Sequence, residues 1–151
     1  MSRIACGVIA YNAEEKLPTL LNSLVGHIDV LVLGIDKKTT DKTREIAERW
    51  AKKSKVQLVT HEFRLEDDDD PKGPKDFARA RNENWSHIPK DCDWAIWLDT
   101  DDEFHADVDL HKIADEQKPE VAQVWFRYAY FRDAFGNVTT LFSRERLIRL
   151  S

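Results

Sequence analysis

The chain has few of the residues that would place it in several common classes of protein. Its two cysteines, Cys6 and Cys92, stand far apart without a CxxC spacing, which argues against a disulfide framework and a zinc site. No apolar run approaches the roughly 20 residues that a membrane-spanning helix needs. The N-terminal segment MSRIACGVIAYN also lacks the order of a signal peptide. We therefore expect a cytoplasmic protein with no transmembrane segment.

An excess of basic residues is missing as well. The 151 residues include 28 acidic and 23 basic side chains, for a net charge of −5. This balance gives no sign of the uniformly basic surface that nucleic-acid binding usually leaves, so we expect no nucleic-acid partner. With 42% hydrophobic and 34% charged residues, the chain is long enough to bury the core of one compact domain.

The apolar residues alternate between strand-like and helix-like patterns. Strands are predicted at residues 4–10, 28–35, 56–60 and 93–98. Helices are predicted from the stripe at residues 17–25, from a cap at Thr40 or Asp41 onward, and over residues 77–88. Four strands separated by three helices predict an α/β fold with a mostly parallel sheet covered on both faces.

Two further segments complete the expected organisation. A short helix is predicted near residues 108–116, and strands at 121–132 and 138–142 flank Gly136-Asn137, which indicates a C-terminal β-hairpin. A loop at residues 61–74 carries the acidic run 66–70. Because consecutive like charges repel and calcium-loop spacing is absent, we interpret that run as a solvated segment. The alternative is a loop that becomes ordered over a bound nucleotide.

The sequence Asp99-Thr100-Asp101-Asp102 directly follows the fourth predicted strand. Ligands of open parallel sheets bind outside the carboxyl ends of the strands. A tight acidic turn at that edge presents the hard oxygen ligands that Mg²⁺ and Mn²⁺ share with substrate phosphates. The alternative is that these residues cap the next helix or face solvent, but the position after a buried strand favours a ligand site.

Two other residues lie at the same predicted edge. Asp36 follows the second strand and could accept a hydrogen bond from a base imide N–H, while Tyr11 offers a flat ring, which would favour uracil or thymine. Equally, Asp36 could stabilise the next helix and Tyr11 could be half-buried packing. The residues alone leave these two interpretations even.

The third helix and the histidines supply the remaining candidates. Arg79 and Arg81 are two positions apart on one helix and therefore point in different directions. Arg81 shares the inward side with Phe77 and is the better phosphate ligand, whereas Arg79 is interpreted as a surface charge. His61 and His105 lie near the expected ligand edge. His105 could supply a nitrogen ligand, although a surface histidine is the default.

The order of these motifs resembles the family 2 glycosyltransferases of the GT-A fold. The matching segments, which end near residue 105, are VIAYNAEEKLPTLLNSL, DVLVLGIDKKTTDKTREIAERW, DFARARN and DWAIWLDTDDEF. The resemblance implies a GT-A (Rossmann-like) sheet. It also implies that residues 1–151 are a single nucleotide-sugar-binding domain, short of the acceptor-binding half that relatives possess.

The resemblance also implies roles for individual residues. The residues implied around the nucleotide sugar are Ala10, Tyr11, Asn12, Glu14, Asp36, Arg81, Asp99 and Thr100. Within this set Asp36 lies near the base, Arg81 near the diphosphate and Asp99 near the ribose. Asp99 and Asp101 form the DxD motif that holds Mn²⁺ or Mg²⁺. The chain departs from the family at Lys37-Lys38-Thr39-Thr40, where relatives usually have a small Gly-Ser turn.

The resemblance implies a metal-dependent, inverting transfer of sugar from a nucleotide-diphosphate sugar, expected to be a UDP-sugar, to an unidentified acceptor. A homodimer or a partner chain could complete the site. The alternative is a non-catalytic, truncated module that binds nucleotide and metal without turnover. A nucleotidyltransferase is set aside because AYNAEEKLP contains no glycine for a phosphate loop. No catalytic base is assigned, and the sequence supports neither Asp133 nor Glu145 in that role.

Overall fold

The computed structural model describes residues 1–66, 75–105, 107 and 109–150. The strands are β1 (Ile4–Ala10), β2 (Val30–Asp36), β3 (Gln57–Phe63), β4 (Trp94–Trp97), β5 (Gln123–Arg132) and β6 (Val138–Arg149). The helices are α1 (Leu17–Ser23), α2 (Thr43–Ser54), α3 (Phe77–Ser86) and α4 (Leu110–Asp115). None of the described helices is both long enough and apolar enough to cross a bilayer.

The six strands form one sheet in the order β3-β2-β1-β4-β6-β5. The pairs β3-β2, β2-β1 and β1-β4 are parallel, whereas β6 runs antiparallel to both β4 and β5. The α/β class, the mostly parallel sheet and the C-terminal hairpin are therefore confirmed. The strand order also puts the end of β6 directly beside β4, the strand that leads into the acidic turn.

Helices cover both faces of the sheet because the central strands are apolar on both sides. On one face, side chains such as Cys6 and Leu33 pack with residues of α1, α2 and α4, including Leu20 and Leu110. On the other face, a smaller cluster around Val32 packs against the α3 side of the molecule. Strands with both faces buried read as continuous apolar runs, which is the pattern that the sequence shows for β1 and β2.

The packing of α3 against the sheet depends on two glycines. A side chain at Gly34 would place its Cβ 2.9 Å from His61 Nε2 and 3.1 Å from Asn84 Oδ1. At Gly7 the same atom would lie 3.1 Å from Asn84 Nδ2. Asn84 is buried, donates from Nδ2 to the carbonyl oxygen of Val32 at 3.2 Å, and is joined through Oδ1 to His61 Nε2 at 2.7 Å. This buried polar contact fixes the distance between α3 and the sheet. It therefore also fixes the position of Arg81, which lies on α3.

Some element boundaries differ from the prediction. Helix α2 begins at Thr43 with Lys42 as its N-cap residue, and neither Thr40 nor Asp41 occupies the predicted cap position. Asp41 instead closes the preceding turn, because its Oδ1 accepts hydrogen bonds from both the backbone and the hydroxyl of Thr43. Strand β6 continues to Arg149 because its last residues pair with β4, a partner that local sequence does not reveal.

Candidate functional site

The acidic segment after β4 forms a tight turn that is closed by its own last residue. The amide of Asp102 donates to the carbonyl oxygen of Asp99 at 3.0 Å, and the carboxylate of Asp102 accepts from the amide of Asp99 at 2.9 Å. The side chain of Asp101 is exposed and makes no hydrogen bond or ion pair within the described part of the chain. The turn therefore presents Asp101 outward and keeps Asp102 inside.

Asp102 is a structural residue of the turn. It is only 7% exposed, and its Oδ1 accepts a hydrogen bond from the Tyr128 hydroxyl at 2.5 Å. Arg146 Nη2 lies 3.6 Å from Asp102 Oδ2, and the Arg146 guanidinium stacks 3.8 Å from the ring centre of Trp97. Burial and the hydrogen bond to Asp102 raise the pKa of Tyr128. Together these contacts anchor the acidic turn to the hairpin.

Arg81 reaches the acidic turn from α3. Its Nη2 donates to Asp99 Oδ1 at 2.9 Å, and its guanidinium lies 4.9 Å from the ring centre of Trp97 and 5.9 Å from that of Phe77. Arg79 points elsewhere and donates from Nη2 to the carbonyl oxygen of Arg64. The difference in direction that the helical spacing predicted is therefore present, and of these two arginines only Arg81 bonds to Asp99.

Arg81 and Asp99 line a cavity of ≈ 420 Å³ at the carboxyl ends of β1 and β4. The cavity combines apolar walls with a few polar groups, as small-molecule sites usually do. Two aromatic side chains that line it, Tyr11 and Phe77, are 48% and 46% exposed and offer open ring surface. Ala10 and Thr100 also line it, so five of the residues implied around a nucleotide sugar meet here.

Asn12 and Glu14 do not line this cavity and bond to the loop after β2. Asn12 adopts a left-handed backbone with φ 43°, a conformation that asparagine tolerates better than most residues, and its Oδ1 accepts from the amide of Thr40. Glu14 Oε2 accepts from the amide of Lys42, and Thr43 Oγ1 accepts from the amide of Ala13 at 2.8 Å. These bonds tie the loop after β1 to the loop after β2 and hold Tyr11 at the cavity.

Asp36 is 5% exposed and lies at the end of β2. Its Oδ1 accepts from the amide of Lys38 at 2.8 Å, and its Oδ2 accepts from the amide of Leu65 at 2.9 Å. Leu65 in turn lines the cavity. A carboxylate oxygen has two lone pairs, so these bonds orient Asp36 and leave it capacity to accept another donor.

The remaining candidates lie away from this cavity or outside the described residues. His61 is hydrogen-bonded through Nε2 to Asn84 Oδ1, and its ring stacks on that of His87 with ring centres 4.1 Å apart. His105 is exposed, with Nε2 3.4 Å from Glu103. Asp133 closes the hairpin turn, where the side chain of Asn137 lowers its pKa by hydrogen bonding. Residues 67–70 of the acidic run are not among the described residues.

The donor set at the acidic turn suits a hard divalent cation. Asp101 offers an unengaged carboxylate, and Asp99 offers a second one close by in sequence. In the described ranges, no group of three or more His, Cys, Asp or Glu side chains is arranged to hold a metal ion alone. Mg²⁺ sites commonly use one or two carboxylates and complete their coordination with substrate phosphates and water. The two aspartates fit that kind of shared site.

Sequence reasoning missed Tyr128 and Arg146. Each lies in a strand whose pattern shows only ordinary alternation, with no motif around it. Their importance depends on the strand order, which brings the hairpin to the edge of β4. A buried arginine beside a buried aspartate is recognisable once that neighbour relation is known, because unpaired buried charges are costly.

Comparison with protein families identifies the family of this chain. The family described as Glycosyl transferase family 2 matches residues 6–148, which is nearly the whole chain. The chain therefore belongs to glycosyl transferase family 2. A search of curated proteins gave no match.

Solved structures of TarS from S. aureus resemble this chain. A structure of TarS matches with a TM-score of 0.51 and 21% identity over 75% of this chain and 19% of that chain. The fragment TarS 1–349 and its complex with UDP each match with a TM-score of 0.49 over 75% of this chain and 30% of theirs, at 20% and 19% identity. This chain spans less than a third of the TarS chains it matches.

Proposed function

We propose that this protein transfers a sugar from a uridine diphosphate sugar to an acceptor hydroxyl, with a divalent cation at Asp99 and Asp101. The observation that carries the proposal is the pairing of Arg81 with Asp99 at the wall of the ≈ 420 Å³ cavity. An arginine and two carboxylates at a strand edge supply a diphosphate with a guanidinium and with ligands for a bridging cation. Membership of glycosyl transferase family 2 supports the same reaction class.

In this proposal, different residues of the cavity bind the base and the diphosphate. Tyr11 and Phe77 provide aromatic surface on which a planar base can stack. Asp36 does not line the cavity itself but accepts from the amide of Leu65, which does; in this proposal its carboxylate would accept the imide N–H of uracil. Lys75 and Arg81 add positive charge at the wall, which favours an anionic diphosphate.

The proposed chemistry is a single displacement with inversion at the anomeric carbon. The leaving group is the nucleoside diphosphate, and a bound Mg²⁺ or Mn²⁺ would offset the charge that develops on it. Arg81 would hold the diphosphate in line for departure. Asp99 would orient the ribose and support the cation, and the anchored turn would keep both aspartates in place before substrate arrives.

Calorimetric titration tests this proposal. UDP and a set of UDP-sugars are titrated into the protein with Mn²⁺ and then with excess chelator, and nucleotide release is measured in parallel. Binding that requires the cation and is followed by turnover is expected. Binding without turnover would instead identify a nucleotide-binding module, and no binding at all would contradict both functions.

A variant pair makes the metal assignment specific. Asp101→Asn should reduce cation-dependent UDP affinity at least tenfold, because it removes the one unengaged carboxylate of the turn. Glu48→Gln removes an exposed negative charge on α2 and serves as the control for net charge. Equal UDP affinity for the two variants would contradict the assignment of Asp101.

A further inference from the structure

The outer end of the C-terminal hairpin carries much of the exposed apolar surface of the described chain. Ten large apolar side chains are exposed among the described residues, and five of them lie between residues 129 and 141, which we call the hairpin tip: Tyr130, Phe131, Phe135, Val138 and Leu141. Phe135, in the turn, is 91% exposed. Single exposed apolar side chains are common on protein surfaces, whereas a group within one short segment marks an interaction surface.

The hairpin tip projects beyond the rest of the sheet. Strand β6 pairs with β4 only through residues 147–149, and the strands of the tip pair only with each other among the described strands. Tyr130 lies on the face of the hairpin that carries Phe142, with ring centres 5.6 Å apart. Leu141 directly precedes Phe142 in β6, so its side chain points to the opposite face. Apolar side chains are therefore exposed on both faces of a two-stranded ribbon.

The turn of the hairpin tip satisfies its own backbone groups. The amides of Phe135 and Asn137 donate to Asp133 Oδ1, each at 2.9 Å, and the amide of Gly136 donates to the carbonyl oxygen of Asp133 at 3.0 Å. The carbonyl oxygen of Gly136 accepts from Arg132 Nη1 at 2.9 Å. Backbone groups that are already bonded within the protein cost less to move out of bulk water than free ones. The turn can therefore enter a less polar environment with these bonds intact.

The hairpin is basic although the whole chain is acidic. Between residues 125 and 144 the chain carries Arg127, Arg132 and Arg144 against a single acidic residue, Asp133, whereas the net charge of the chain is −5. All three arginines are exposed. The two oxygens of Asp133 are both engaged within the turn. Arg127 and Arg144 lie just before and just after the tip along the chain, so the apolar tip has positive charge behind it, which favours a negatively charged surface.

We propose that the hairpin tip binds the surface of an anionic lipid bilayer. Phe131 and Phe135 lie at the boundary between headgroups and acyl chains, where aromatic side chains concentrate, and the three arginines contact the anionic headgroups. Strand β5 has no strand on its outer side among the described strands, and at this depth its free backbone groups keep water or headgroups as partners. The chain then lies on the membrane and does not cross it. This inference is independent of the proposed function.

A protein surface fits the hairpin tip less well than a bilayer does. A flat partner, including a second copy of this chain, would cover only one of the two apolar faces. Pairing between the β5 edges of two copies would also bring their arginines together, and like charges repel. The register of β5 shifts between Val124 and Trp125 and on both sides of Phe131, and irregular edges resist continuous strand pairing. A bilayer surface surrounds both faces and supplies negative charge.

Sedimentation with lipid vesicles tests the inference. The full chain is mixed with vesicles of phosphatidylcholine alone, or of phosphatidylcholine with roughly one third phosphatidylglycerol, which is anionic. We expect binding to the anionic vesicles to be at least about tenfold tighter than to the neutral ones, and to weaken as the salt concentration rises, because salt screens exposed charges.

Two apolar variants and a control locate the contact. Phe131→Ser and Phe135→Ser each remove an exposed apolar side chain from the hairpin tip, whereas Val25→Ser removes one that is 52% exposed outside the hairpin. Each phenylalanine variant should weaken binding to anionic vesicles about tenfold, and Val25→Ser should stay within about twofold of the unaltered protein. Urea unfolding establishes that all three variants are folded.

A matched pair of double variants tests the arginines. Arg127→Gln with Arg144→Gln removes two positive charges from the hairpin, and Lys52→Gln with Lys53→Gln removes two exposed positive charges from α2. The net charge is the same in both proteins. The arginine variant should bind anionic vesicles about tenfold more weakly, whereas the lysine variant should stay within about threefold of the unaltered protein.

Fluorescence reports the depth of the hairpin tip directly. Phe135→Trp keeps an aromatic ring in the turn and adds a fluorophore there. Vesicles that contain lipids brominated on the acyl chains should quench this variant more than the unaltered protein. Equal quenching of the two proteins would show that the turn does not enter the bilayer surface and would overturn the inference.

Other outcomes would overturn the inference as well. These are a failure of the unaltered protein to bind anionic vesicles, equal affinity for neutral and anionic vesicles, and equal losses in Phe135→Ser and Val25→Ser. Dimerisation in the absence of vesicles that Phe135→Ser abolishes, without binding to vesicles, would instead identify the hairpin tip as an interface between copies of this chain.

Discussion

Asp101 and Asp102 are consecutive residues in opposite environments. Asp101 is exposed and has no partner in the described part of the chain, whereas Asp102 is 7% exposed and contacts the Tyr128 hydroxyl and Arg146. Acidic residues that look equivalent in a sequence motif therefore differ in their burial and in their contacts. One is available to a ligand, and the other holds the turn in shape.

Stability measurements should separate these two aspartates. Asp102→Asn leaves the buried Arg146 charge without its anion and should lower the free energy of unfolding by about 3 kcal/mol. Asp101→Asn removes an exposed charge and should change it by less than about 0.5 kcal/mol. Urea denaturation of both variants checks this difference. Similar midpoints for the two would show that Asp102 does not anchor the turn.

A second pair of residues tests the direction of α3. If the proposed function holds, Arg81→Ala should weaken UDP binding about tenfold or more, because Arg81 lines the ≈ 420 Å³ cavity beside Asp99. Arg79→Ala removes the same charge two positions away, where the side chain bonds to a backbone carbonyl outside that cavity. The UDP affinity of Arg79→Ala should stay within about twofold of that of the unaltered protein. A larger loss of UDP affinity in Arg79→Ala than in Arg81→Ala, measured by calorimetry, would show that the diphosphate does not bind at Arg81.

Among the secondary-structure elements, α4 is attached to the sheet by a histidine between two carboxylates. His111 Nε2 lies 3.0 Å from Asp29 Oδ2, and its Nδ1 lies 3.2 Å from Asp109 Oδ1, at the N-cap of the helix. Burial on its own would lower the pKa of His111. The hydrogen bonds and charges of Asp29 and Asp109 outweigh it and raise that pKa above its usual 6.5.

This attachment should make stability depend on pH. Because the folded state raises the pKa of His111, its contribution is complete below pH 6.5 and is lost as the pH rises through the folded pKa. His111→Asn should therefore lower stability more at about pH 5.5 than at about pH 9. Urea unfolding of both proteins at each pH measures the difference. If the stability lost in His111→Asn is constant or grows with pH, then His111 is not a charged residue paired with both carboxylates.

The sequence predicts a helix or strand well when nearby residues determine it, and poorly when contacts with distant residues do. Strand β1 is predicted at its observed bounds because its residues are buried on both faces and read as one apolar run. The start of α2 is missed because Asp41 bonds within the preceding turn. The length of β6 is missed because its last residues are held by pairing with β4, far away in the chain.

For the whole molecule, the site can be predicted where the sheet alone brings residues together. Asp99 and Tyr11 follow parallel strands, and the carboxyl ends of such strands meet at one edge. Arg81 follows from helical direction and the family motif. The roles of Tyr128 and Arg146 cannot be predicted in this way, because nothing local indicates that β6 inserts between β4 and β5.

Binding of UDP in the ≈ 420 Å³ cavity, as proposed, should stabilise the whole fold, since this cavity is lined by residues of β1, β3, α3 and the turn after β4. UDP with Mn²⁺ at a hundred times its Kd adds about 2.7 kcal/mol to the free energy of unfolding. For a chain of this size, that corresponds to a rise in Tm of about 5–10 °C. Thermal unfolding should show this rise, excess chelator should reduce it, and Asp101→Asn should behave as the chelated protein does. A rise in Tm that persists both with excess chelator and in Asp101→Asn would mean that UDP binding does not use the cation.

The antiparallel arrangement of the last two strands has a kinetic consequence. Strand β6 pairs with β4 through residues 147–149, while its earlier residues pair with β5 alone among the described strands. The amide protons at the outer end of the hairpin are then protected by local contacts, whereas those of β1 and β2 are protected by the whole sheet. Opening of the hairpin tip should therefore let its amides exchange with solvent well before the core unfolds.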